Sequence, residues 1–114
     1  MSEMLSANRI NIAQWRAMDI FGQLGNVASE VGRAFKWQAK ESPDHADSAF
    51  WRALELLDAT IADPKNFKRG KELRRARELF CSVYSKSAEY NETPASVEKY
   101  FMHFAIHNQY KKYA

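Results

Sequence analysis

Apolar residues return every three or four positions along most of this chain, the spacing that gives a helix one greasy face. The strongest run is IFGQLGNVASEVGRAFKWQ, residues 20–38. There Ile20, Phe21, Leu24, Val27, Ala28, Val31, Ala34 and Phe35 share an arc. Beside that arc lies a second stripe of Gly22, Gly25, Ser29 and Gly32. Glycine inside a helix is destabilising by about 1 kcal/mol relative to alanine. Three of them within one helix point to close approach by another helix, of the same chain or of a second subunit. A surface that nothing packs against is the plain alternative.

The pattern predicts four helices. The first spans about 17–40 and ends at Glu41-Ser42-Pro43-Asp44. Ser42 is placed to cap the second, with Pro43 at its first position. That helix runs to about 62, with Ala46, Phe50, Ala53, Leu54, Leu57 and Ile61 inward, and Asp63-Pro64 stops it. PKNFKR, residues 64–69, reads as a basic loop or single turn. The third helix covers about 70–86, with Leu73, Ala76, Phe80, Val83 and Tyr84 inward. Thr93-Pro94 opens the fourth, which runs to about 110 with Val97, Tyr100, Phe101, Phe104 and Ala105 inward and frays from Lys111. Short connections between amphipathic helices give an all-α fold, an antiparallel up-and-down four-helix bundle over 17–112. Residues 1–16 form an N-terminal arm. Its Ile10, Ile12 and Trp15 are too apolar for a free tail, and Trp37, on the polar side of the first helix, is what the arm is expected to cover.

Composition narrows the classes. At 114 residues with 46% hydrophobic and 27% charged residues, the chain matches one folded domain with its own core. Cys81 is the sole cysteine, so no internal disulfide can form. No apolar run approaches the roughly 18 residues of a membrane span, and MSEMLSANRINIA has no apolar core of a signal peptide. The expected setting is the cytoplasm. Charge changes the picture more. Lys65, Lys68, Arg69, Lys71, Arg74, Arg75 and Arg77 stand against Glu72, a net of +6. The whole chain carries +3, which leaves −3 for the rest. A cationic segment with Phe67 interleaved is the footprint of a nucleic-acid site, with phosphates on the cations and a base on the ring. Positive charge at a helix N-terminus also opposes the helix dipole, so the cluster is kept for some contact. The alternatives are an acidic protein partner, or a solvated face neutralised by Glu72 with Arg75 and Arg74 with Glu78.

Other candidate chemistry is sparser. Glu55-Leu-Leu-Asp58 is similar to half of the paired-carboxylate magnesium site of MazG-type all-α nucleotide pyrophosphohydrolases, with Glu30 on the preceding helix. Arg33 stands where that site needs its fourth ligand, so a divergent metal-dependent hydrolase using Glu30, Glu55 and Asp58 is the secondary reading. Asp58 and Arg77 both fall near the core arcs, which predicts a partly buried ion pair whose loss lowers the melting temperature clearly. His103 and His107 lie four apart, a two-ligand platform lacking a third ligand. No arginine shortly precedes His103, against a nuclease of the HEPN kind. Gly-x-x-Gly in the first helix follows no strand and is no phosphate loop.

Asn26-Val-Ala-Ser-Glu-Val-Gly-Arg-Ala34, Arg52-Ala-Leu-Glu-Leu-Leu-Asp58 and Glu72-Leu-Arg-Arg-Ala-Arg-Glu-Leu-Phe80 together resemble a small bacterial family of all-helical proteins. The likeness covers about residues 15–105 and implies a fold but no activity. In length, helix count and basic third helix the chain is also similar to four-helix proteins of the S23 and Avd kind. That similarity implies a ring-forming oligomer with a basic surface, linked to RNA. The expectation is a non-catalytic, cofactor-free, homo-oligomeric binding or scaffold protein contacting RNA or DNA through 65–77.

Overall fold

Local capping chemistry sets where several of the helices begin. The computed structural model describes residues 10–87 and 91–113, the last ten as helical backbone, and no strand occurs among them. Helix α1, Ile12–Ala17, starts on Asn11, whose side-chain oxygen accepts from the Gln14 N–H at 3.1 Å. Met18 is extended, and Asp19 then caps α2, Ile20–Ala39, by accepting from the Gly22 N–H at 2.8 Å. The first long helix therefore opens at Ile20 rather than near Ala17. Helix α3, Pro43–Ala62, begins where the Ser42-Pro43 signal places it. The Ser42 hydroxyl, however, meets a His45 ring nitrogen at 2.9 Å and makes no cap bond.

A 3-10 turn, Pro64–Arg69, leads straight into α4, Gly70–Tyr84. Helix α5, Pro94–Tyr113, opens on a reciprocal cap: the Ser96 N–H donates to Thr93 Oγ1 at 3.1 Å, and the Thr93 N–H to Ser96 Oγ at 3.0 Å. Fraying expected from Lys111 is not found, because the helix continues to Tyr113. Helices α2 and α4 each finish on a left-handed residue, Glu41 at φ 57° and Lys86 at φ 61°. In both, paired backbone bonds satisfy the last carbonyls, Ser42 N to Trp37 O at 3.0 Å and Ser87 N to Ser82 O at 2.9 Å.

Helix α2 packs along α3 and α5, and α4 packs against α3 and α5; α1 and the 3-10 turn lie on α3. Leu24, Val27, Val31, Ala34, Ala53, Leu57, Leu73, Ala76, Phe80, Val97 and Phe101 are buried between them. Phe80 joins all four long helices. Its ring stands 5.5 Å from Phe35, 5.2 Å from Phe50, 6.2 Å from Tyr84 and 6.3 Å from Phe101, centroid to centroid. Phe50, Ile61, Tyr84 and Tyr100 are half-buried, and the inward positions expected at Phe104 and Ala105 lie outside the described side chains. The arm's described end is docked through buried Trp15. Most of the arm expected to cover Trp37 lies outside the described residues; among those described, His45 stacks on that indole at 4.6 Å, across the α2–α3 connection.

Asp58 and Arg77 do pair between α3 and α4, with Arg77 Nε donating to Asp58 Oδ1 at 2.7 Å. Arg77 is half-buried but Asp58 is exposed, their side chains 35% and 56% open to water. Water screens such a pair and leaves it worth about 0.2–1 kcal/mol. Arg77→Ala is therefore expected to shift the melting temperature by only a few degrees, as scanning calorimetry would show; a fall above ten degrees would restore a buried role.

Candidate nucleic-acid interface

The cationic segment stands on a base of buried, fully partnered polar side chains contributed by α1, α2, α3 and the 3-10 turn. Gln23 is completely buried among apolar neighbours. Its Nε2 donates to the Trp15 carbonyl and to Asp63 Oδ2, both at 2.9 Å. Its Oε1 accepts from Asn66 Nδ2 at 2.8 Å, and Asn66 also donates to the Thr60 carbonyl at 2.9 Å. The Trp15 indole N–H donates to Thr60 Oγ1 at 3.2 Å, and that hydroxyl donates on to the Leu56 carbonyl at 2.8 Å. Asp63 closes the group, accepting from the Lys65 N–H at 3.1 Å and from Lys65 Nζ. Burial pulls the Asp63 pKa upward, yet the hydrogen bonds from Lys65 and Gln23 and the Lys65 charge outweigh it, and the carboxyl sits below its ordinary range. A buried polar group of this kind fixes geometry when every member is satisfied.

Sequence reasoning missed this cluster, although one signal was present. Gln23 falls on the core arc with Ile20, Leu24 and Val27, at the spacing of an inward position. Asn66 carried no comparable mark. Lys65 is exposed, but its ammonium is already held by Asp63 and by the Arg16 carbonyl at 2.9 Å.

The remaining cations emerge from this base. Lys68, Lys71, Arg74 and Arg75 are exposed and Arg69 is half-buried. Among the described residues none of these five makes an ion pair, so the neutralisation expected from Glu72 and Glu78 does not form. Phe67 stands in the same turn with 85% of its surface open to water. Gly70 leaves room for one of the cations: a Cβ there would lie 3.0 Å from Arg74 Nη1, where the guanidinium folds back over the start of α4.

The other candidates are not drawn together. Glu30 pairs with Arg33 at 3.0 Å, Glu55 with Arg52 at 3.9 Å, and Asp58 with Arg77. Among the described residues no three His, Cys, Asp or Glu side chains are placed to hold a metal ion. His103 is exposed on α5, and the His107 side chain lies outside those described. Cys81 is half-buried, and burial pushes its thiol pKa up. In the glycine stripe, Gly25 and Ser29 are exposed and a Cβ on Gly25 would meet nothing within 4 Å. Among the described residues, nothing packs against Gly25. A Cβ on Gly32 would come 3.3 Å from Glu98 Oε1 on α5, so that position alone of the three faces a neighbour closely. No described helix is long and apolar enough to cross a membrane. No protein-family model matches the chain, and no curated protein and no solved structure matches it.

Proposed function

We propose that this protein is a small non-catalytic scaffold that binds nucleic acid through the turn and helix of residues 65–77. In this reading the four long helices form an up-and-down antiparallel bundle, consistent with each packing against its neighbours in the sequence. The observation that carries the binding role is the set of exposed cations, Lys68, Lys71, Arg74 and Arg75, which make no ion pair among the described residues and are raised on a fixed base in an otherwise acidic chain. Pairing with Glu72 and Glu78 would have supported plain solvation; exposed cations without those partners support an external polyanion. A cytoplasmic setting suits the lone thiol of Cys81.

Four phosphate contacts give a steep salt dependence, roughly a hundred-fold loss of duplex affinity between about 50 and 200 mM salt. Fluorescence anisotropy with a labelled oligonucleotide is expected to show that loss, and neutralising the four cations together to glutamine is expected to abolish both binding and slope. Failure of the native protein to retain any RNA or DNA at low salt would remove the reading.

The same proposal includes self-association through the open face of α2 at Gly25 and Ser29. Light scattering of Gly25→Leu tests it: a fall in mass at unchanged helicity supports contact between copies, and an unchanged mass removes the stripe from the interface.

A further inference from the structure

We infer that the ligand is a single strand, held by a base stacked on Phe67 while its backbone follows the cations of α4; this rests on the nucleic-acid reading above. Phe67 is the most exposed large apolar side chain among those described, at 85%. Water contact over a whole phenyl ring is unfavourable, and a ring left open in this way has a use when something flat covers it. The backbone that carries Phe67 is held from below. The preceding residue, Asn66, is buried with both hydrogen bonds of its amide engaged, and Asp63, at the start of the turn, is buried as well. The turn therefore presents the ring from an ordered backbone, and ordering it on binding loses little further entropy.

The surroundings identify what covers it. Lys68 follows Phe67 directly, and Lys71, Arg74 and Arg75 continue along the first turns of α4. Lys71 and Arg75 lie one helical turn apart, about 6 Å along the axis. An apolar peptide would leave these charges without partners. A nucleotide chain satisfies both features, a π-face for the ring and a phosphate for each cation. In a duplex interior every base is already stacked between neighbours and cannot cap the ring. An unpaired base can, and the stack tolerates any sequence because every base has a π-face.

The test compares three proteins, native, Phe67→Ala and Phe67→Trp, on a fluorescein-labelled 15-nucleotide single strand and on its duplex, with polyglutamate as an acidic-polymer control. The single strand is expected to bind more tightly than the duplex. Phe67→Ala is expected to lose about ten-fold or more on the single strand, the size of one base stack, with duplex binding unchanged. Phe67→Trp is expected to keep single-strand affinity. An exposed side chain carries little of the fold, and an unchanged melting temperature in both variants verifies that. Unaltered single-strand binding by Phe67→Ala, or an equal loss on both ligands, overturns the stacking role and leaves phosphate binding intact. Polyglutamate binding as tight as the single strand and indifferent to Phe67 overturns it in favour of an acidic protein. Absence of binding to every oligonucleotide by the native protein removes the parent reading and this one with it.

Discussion

Gln23→Glu is expected to lower stability by about 3–5 kcal/mol at neutral pH, the range for an uncompensated charge in a protein interior. The substitution keeps the shape and replaces the Nε2 donor, now 2.9 Å from Asp63 Oδ2, by an acceptor. Two carboxylates then face one another where water cannot reach, and the Trp15 carbonyl keeps only the Met18 N–H as a donor. The pH dependence separates this cause from simple misfit. In the native protein the depressed Asp63 pKa contributes stability that is present above the ordinary carboxylate range and lost as pH falls through its lowered value. In the variant the introduced carboxyl is raised instead, so the penalty is full at neutral pH and shrinks as acidification protonates it. Urea midpoints at pH 7.5 and pH 5 are expected to converge between the two proteins. A variant with a native midpoint, or a gap that widens at pH 5, would show that the cluster does not work as a charged, dry unit.

Phe80→Ala is expected to have an effect of similar size for a different reason. The ring is fully buried and meets an aromatic side chain from each of α2, α3 and α5 and one more on its own helix. Truncation removes the transfer energy of the ring and leaves a cavity that four helices cannot close at once, about 3–5 kcal/mol in comparable cores. Total stability of a domain this size is about 5–15 kcal/mol. Thermal unfolding followed by circular dichroism is expected to shift down by well over ten degrees. A shift of only a degree or two would mean the aromatic group is loosely packed.

These two residues show what was legible beforehand. Phe80 stood on a regular apolar arc, and periodicity alone placed it inside. Pro43 and Pro94 marked helix starts because a proline at the first helical position follows from its fixed φ. The ends of α2 and α4 fall within two residues of where the sequence places them, although Glu41 and Lys86 occupy the left-handed positions where glycine is the usual signal. The break at Met18 was hidden because apolar spacing runs on through Ile20 and Phe21. Gln23 with Asp63 and Asn66 was not legible as a unit: the partners are some forty residues apart, and a polar side chain states no preference for its distant acceptor. Glycine marked open backbone without saying what would meet it: among the described residues nothing comes within 4 Å of a Cβ on Gly25, while Gly32 faces Glu98. The cations at 68–75 were plain in the sequence, but whether Glu72 and Glu78 neutralised them depended on side-chain geometry.

Lys40, Glu41 and Ser42 alone separate α2 from α3, so the most extensive helix pairing has the shortest link between two long helices. Closing so short a loop sacrifices little chain entropy, and these two helices can zip from their turn outward. The bonds from Gln23 to Asp63 and Asn66 and from Trp15 to Thr60 close far wider loops. By this reasoning the α2–α3 hairpin forms early and the footing of the cationic turn late in the order of assembly.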